Sequence, residues 1–240
     1  MAQTGRGGRR RGAPARTARA RTPQRRVPSP QPGPAPRPAP EEPRTFRLGA
    51  VAGATPGKWI DRWRERMPHV ALELVPLAAE EQRTSILAGD VDAAIVRLPI
   101  DHEDLHVIAL YDEEPVVVAS VDSALTAADE LDPEDLAGEV VITPRDDVLG
   151  TLELPGTEPP RFEAPETTAD AIATVAAGVG VVIVPMSLAR LHHRRDVTYR
   201  PLRGGPVSSV ALAWHADRTT PDVDAFVGIV RGRTSNSSRG

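Results

Sequence analysis

From residue 45 onward the apolar positions follow two alternating rhythms, of period two and of period near 3.6; before it they follow neither. Phe46–Val51, FRLGAV, predicts a strand, and Val70–Val75, VALELV, a half-buried one. Between them Trp59, Ile60, Trp63 and Met67 share one helical face. Thr55 before Pro56 marks that helix's start, a capping hydroxyl followed by a proline where no N–H is needed, and Pro68 closes it. Glu80–Ala88 reads as a second helix stopped by Gly89, and Val91–Val96 as a third strand. This order implies right-handed crossovers and a parallel sheet.

Further strands are expected at Leu105–Tyr111, Pro115–Ser120, Glu139–Thr143, Val197–Leu202 and Ser208–Trp214. Leu131–Gly138 predicts a short capped helix and Pro221–Arg231 a longer one. Residues 144–165 hold five prolines and read as irregular, and 232–240 as a frayed end. The most informative stretch is Glu166–Pro185, ETTADAIATVAAGVGVVIVP. Thr167 is a good N-cap, and Asp170 three residues on completes most of a capping box. Ile172, Val175, Ala176 and Val179 share a helical face, and Gly178 and Gly180 stop the helix. The run Val181–Val184 suits a strand covered on both faces, as in a parallel sheet, and Pro185 ends it.

Val175–Pro185, AAGVGVVIVP after a valine, resembles the effector-binding domain of LysR-type transcriptional regulators. So do Arg47-Leu-Gly49, Arg64–Pro68, Leu87–Ile95, Pro115–Ser120, Asp135–Gly138 and Ala211–Trp214, in that order. The resemblance covers about Thr45 to Arg231. It implies an α/β fold of two Rossmann-like lobes with a ligand cleft, like a type 2 periplasmic binding protein. Lobe I is then 45–119 plus 209–231 and lobe II is 120–208, with crossover strands near Ser120 and Ser209. The family's winged helix-turn-helix has no counterpart in residues 1–44, where a recognition helix is implausible among so many prolines and glycines.

Composition changes the picture mainly at the N-terminus. Residues 1–44 carry eleven Arg and ten Pro and no Leu, Ile, Phe, Trp or Tyr, so they predict a disordered tail. The tail is basic and the remainder acidic, although the whole chain is at −4. Weak, salt-sensitive contact with nucleic-acid phosphates through 1–44 is one reading; a solubilising leader or an early start codon is the other. With no cysteine there is no disulfide framework and no thiolate site. No apolar run is long enough for a membrane span and no secretory signal is visible, so a cytoplasmic protein with no membrane contact is expected.

Candidate chemistry gathers where strands end and helices begin. Thr55 and the pair Thr167 and Thr168 mark two capped helix starts that, facing each other, can hold a small anion. Arg97 and Pro99 follow the third strand; Thr143 and Arg145 follow a lobe II strand, and either Arg can grip a carboxylate. The resemblance implies that Thr55, Pro99, Thr143 and Thr167 line the effector pocket. Solvated arginines and plain caps are the alternative. His102 and His106 lie on a polar loop without metal-ligand spacing; no cofactor, metal or catalytic pair is expected. The expected function is a non-enzymatic sensing module for a small-molecule effector, a carboxylate, in a homodimer or a heterodimer with a full-length relative. A transporter's solute-binding protein is the alternative on the same fold.

Overall fold

The computed structural model describes residues 43–150 and 152–232. The expected tail through residue 42 and the expected fraying beyond Gly232 lie outside the described residues. Pro43 and Arg44 do not: Arg44 already belongs to β1 (Arg44–Val51) and pairs with Asp222 at 2.8 Å. Next come α1 (Gly57–Arg66), β2 (Val70–Leu77), α2 (Gln82–Ala88), β3 (Ala93–Arg97) and β4 (Leu105–Glu113). The chain continues through β5 (Pro115–Ser120), β6 (Val141–Ile142), α3 (Thr168–Ala176), β7 (Val181–Pro185) and α4 (Met186–Leu191). It ends with β8 (Val197–Pro201), β9 (Ser208–His215) and α5 (Pro221–Val230).

These strands form two sheets. The first has the order β2-β1-β3-β9-β4. Its β2, β1 and β3 are parallel, as the βαβαβ pattern requires, with Leu48 between Leu74 and Ala93. β9 then pairs antiparallel with β3 and β4, so the sheet is mixed rather than wholly parallel. One face buries Phe46, Trp63 and Phe226 under α1 and α5, and the other buries Ile86, Val96 and Ala211 under α2. Phe46 and Trp63 stack at 4.6 Å between ring centroids, and Phe226 sits 5.3 Å from Phe46. Trp63 also donates its indole N–H to the Val70 carbonyl at 3.0 Å, so its one polar atom is satisfied in the core.

The second sheet has the order β6-β7-β5-β8. Here β7 is parallel only to the two-residue β6 and antiparallel to β5. Its Val181–Pro185 run is buried throughout for the reason expected, cover on both faces, though its main partner runs the other way. α3 and α4 cover one face. Leu131, Leu136 and side chains of the irregular 144–165 segment cover the other. Gly180, at φ 59°, lets β7 start beside β6: a Cβ there would run into the Val140 carbonyl.

The expected lobe boundary after residue 119 is displaced. β5 pairs with β7 and β8, Val118 lying opposite both Val182 and Tyr199, so residues 115–119 belong to the second sheet. A strand buried from Pro115 to Ala119 needs neighbours on both edges, and only the second sheet offers them. The chain therefore changes sheets at Glu114 and returns between Pro201 and Ser208. Ser209 lies within β9 of the first sheet.

The aromatic cluster sets a measurable cost. Trp63 is fully buried, and Trp63→Ala removes both its stacking and its hydrogen bond. The expected loss is about 3–5 kcal/mol in urea unfolding followed by circular dichroism.

Candidate functional site

β1, β2 and β3 all end on the same side of the first sheet, at Val51, Leu77 and Arg97. Open α/β sheets place ligands beyond such carboxyl ends. A cavity of about 290 Å³ lies there. Its first wall is Val51, Leu77, Glu80 and Arg97; its second is Asp146, Val148, Glu166, Thr167 and Thr168, with Leu188 and His192 of the α4 region. The two halves thus share one cavity, and the start of α3 faces into it.

Three expected site residues meet in this cavity: Arg97, Thr167 and Thr168. None is an unoccupied anion grip. The Thr167 hydroxyl accepts from the Asp170 amide at 3.1 Å, the expected cap, but the Asp170 carboxylate accepts from that hydroxyl at 2.7 Å rather than from the Thr167 amide, so only half of the expected capping box forms. The buried Thr168 hydroxyl donates to Asp146 at 2.9 Å. Both hydroxyls at the start of α3 are thus committed to carboxylates.

Arg97 is more deeply committed. Its guanidinium donates to Glu113 at 2.9 Å, Ser208 at 2.7 Å, Ser187 at 2.9 Å and the Ala52 carbonyl at 3.3 Å. Ser187 in turn donates to Glu113 at 2.7 Å. Arg97 and Glu113 side chains retain 4% and 11% exposure, so this is a buried ion pair. It ties β3, the end of β4 and the start of β9 to α4 of the second half. Arg97 is a joint between the halves rather than a hand held out to a carboxylate.

The other expected residues stand elsewhere. Thr55 does not cap α1: the Trp59 and Ile60 amides bond the Pro56 carbonyl, so the helix begins one residue later and Pro56 is its cap. Exposed Thr55 lines a separate cavity of about 650 Å³ with Tyr111, Glu113, Ser187 and Arg190. In that cavity burial lifts the Tyr111 hydroxyl above its ordinary 10.0, Glu113 adds to the rise and Arg97 opposes it. Thr143 lines a third cavity, of about 550 Å³, with Leu152, Leu154 and Pro159 of the irregular segment. Pro99 is exposed and lines none of the three. Arg145 is exposed and pairs with Glu166 at 3.2 Å, outside the shared cavity.

Glu80, Asp146, Leu188 and His192 were not singled out by the sequence. The rule that selects Arg97, a position just past a strand's carboxyl end, also selects Glu80, which follows β2 closely. Asp146, next to Arg145, stands a similar distance past β6. Its place depends on Thr168, 22 residues away.

The chain matches the family described as LysR substrate binding domain over residues 40–235. It is 27% identical over 193 residues to the HTH-type transcriptional regulator AlsR of Bacillus subtilis, covering 75% of this chain and 64% of the relative. It is 24% identical over 208 residues to the Hca operon transcriptional activator HcaR of Escherichia coli, covering 82% and 70%. The match thus spans between 64% and 70% of those relatives' lengths. Among solved structures, the reduced OxyR regulatory domain from Pseudomonas aeruginosa has a TM-score of 0.61 at 24% identity, over 79% of this chain and 98% of that one. The BenM effector binding domain with its effector benzoate has a TM-score of 0.63 at 19% identity, over 80% and 95%. Both likenesses are likenesses of fold.

Removing one partner of the buried joint leaves the other charge stranded. Arg97→Met is expected to cost about 3–5 kcal/mol. Adding Glu113→Gln to it should recover part of that loss, so a double-mutant cycle by chemical denaturation reads a coupling well away from zero.

Proposed function

The chain belongs to the LysR substrate binding domain family, and on that premise we propose that it is the effector-sensing part of a LysR-type regulator of transcription. The observation that carries this reading is the shared cavity of about 290 Å³, walled by three strand ends of one half and the α3 start of the other. A small molecule seated there touches both halves. Its binding energy then favours the relative setting that fits it best. The consequence passes to DNA through the rest of the assembly, a second copy of this chain or a full-length relative.

The functional lobes in this reading are residues 44–113 plus 208–230 and residues 115–201. Of the residues expected at the site, Arg97, Thr167 and Thr168 are the three assigned to the effector cavity. The reading assigns no catalytic step and places the protein in the cytoplasm, beside the DNA it helps to regulate. Among the described residues no helix is long and apolar enough to cross a membrane. The basic residues of 1–44 would add a weak, sequence-independent attraction to phosphates.

Ala79 lines the cavity on a half-buried turn, and Ala79→Trp fills the space without deleting any side-chain hydrogen bond. A small-molecule screen by thermal shift should find compounds that raise the melting temperature of the parent with increasing concentration. The same compounds should leave Ala79→Trp unmoved while its circular dichroism stays that of the parent. An equal shift in the variant would remove the cavity from the account.

A further inference from the structure

The irregular chain between β6 and α3 is pinned at both ends by backbone hydrogen bonds. At one end the Gly138 amide donates to the Gly156 carbonyl at 2.8 Å, the Glu158 amide to the Glu139 carbonyl at 2.8 Å and the Val141 amide to the Glu158 carbonyl at 3.1 Å. At the other the Arg145 amide donates to the Pro165 carbonyl at 2.9 Å. A cavity of about 550 Å³ lies between the pinned chain and the second sheet, nearly twice the volume of the shared cavity of about 290 Å³. Its floor is Ile142 and Ile183, 1% and 4% exposed. Its walls include Leu152, Leu154 and Pro160, all only half-buried. Both leucines pack against the cluster of Leu131 and Leu136, yet part of each stays uncovered. An apolar guest removes that surface from water.

The polar groups of the lining say what such a guest carries. Among the described residues, Asp147 and Glu158 are the ionisable side chains of the lining, and it contains no Arg, Lys or His. The Asp147 carboxylate accepts from the Leu149 amide at 3.1 Å and the Gly150 amide at 2.9 Å, so it is committed within its own turn. Glu158 is exposed. The Thr157 hydroxyl donates to the Leu154 carbonyl at 3.0 Å. The exposed Thr143 hydroxyl has no partner among the described residues. An anion finds two carboxylates here and no side chain of opposite charge. A cation has to leave the apolar floor to reach Glu158, whose charge water already solvates. A neutral molecule with one hydrogen-bonding oxygen matches both the floor and the free hydroxyl.

We propose that this cavity is a second small-molecule site, distinct from the shared cavity, for a neutral and largely hydrocarbon alcohol or phenol. Its body rests on Ile142, Ile183, Leu152 and Leu154, and its hydroxyl meets that of Thr143. The same stretch of chain borders both spaces: Asp147 lines this cavity, while Asp146 and Val148 on either side of it line the shared one. A guest that fixes Asp147 therefore fixes Asp146, and through the 2.9 Å bond to Thr168 it bears on the start of α3. Occupation of either cavity then changes affinity at the other. That coupling rests on the shared cavity as the effector site; the second site does not.

The test uses three probes on one bicyclic skeleton: 2-naphthol, 2-naphthoate and 2-naphthylmethylamine. Binding to the full chain at pH 7 is measured by calorimetry. The naphthol should bind, and the two charged probes should bind at least about tenfold more weakly. Leu154→Trp, which fills the space from a half-buried position, should abolish naphthol binding. Thr143→Val should weaken it about fivefold, the loss of one hydrogen bond. Ala79→Trp, which fills the shared cavity, should still bind the naphthol. No binding of the naphthol, equal or tighter binding of a charged probe, or unchanged naphthol binding in Leu154→Trp overturns the proposal. Should Leu154→Trp lose the circular dichroism of the parent, Thr143→Val decides in its place. Naphthol binding that is lost in Ala79→Trp and kept in Leu154→Trp assigns the probe to the shared cavity and removes the second site alone. Failure of Ala79→Trp to block the compounds of the thermal-shift screen removes the effector reading of the shared cavity and leaves the second site standing.

Discussion

The buried pair of Arg97 and Glu113 is the constraint on which the relation between the two halves depends. Each half has its own sheet and its own apolar clusters, and the backbone passes between them only at Glu114 and in the return from Pro201 to Ser208. Two connections of that kind act as a hinge and leave the angle free. Arg97 fixes it by reaching Glu113 and Ser208 at the two crossings and Ser187 on α4. Placing a charge where 4% of its side chain sees solvent is costly. The geometry has to satisfy the guanidinium nearly completely, and four acceptors do so.

From that joint the position of the cavity follows. β3 ends at Arg97, and parallel pairing with β1 brings the ends of all three strands to the same edge. α4 is held against that edge through Ser187, and the next residue, Leu188, becomes the floor of the cavity. The same joint separates two spaces. Arg97 faces the smaller cavity, and Glu113 and Ser187 face the larger one that contains Thr55 and Tyr111. A change in the setting of the halves therefore alters both.

The elements most legible in the sequence are those fixed by neighbours a few residues away. Thr167 caps α3 through the Asp170 amide, and Gly89 closes α2 in the left-handed region. Thr55 failed on the same local logic, because a shift of one residue in the helix start leaves its hydroxyl outside. The assignment of β5 failed for a different reason. Its apolar run says that it is central but not to which sheet, and that is decided by strands far along the chain. Arg97 was found by position and misjudged in role, since its partners stand 16, 90 and 111 residues away. Thr143 and Pro99 had the same kind of support, a place just past a strand, and do not line the shared cavity; Arg145 reaches one of its lining residues, Glu166, from outside it.

A helix start facing a cleft is commonly read as a place for an anion, because free amides and the dipole end carry positive potential. Here the two threonine hydroxyls at that start are committed inside the protein. Asp170 takes the first turn through Thr167, and Asp146, from the loop after β6, takes the hydroxyl of Thr168. The backbone potential at such a terminus is a property of the fold, while the side chains around it belong to each sequence. A carboxylate beside such a terminus offsets part of its positive potential. The ligand charge that a two-lobed cleft selects is therefore set by the residual left after the internal pairs are formed. In this chain Glu80, Asp146 and Glu166 stand around the same space as Arg97, His192 and the start of α3, so both signs of charge border it.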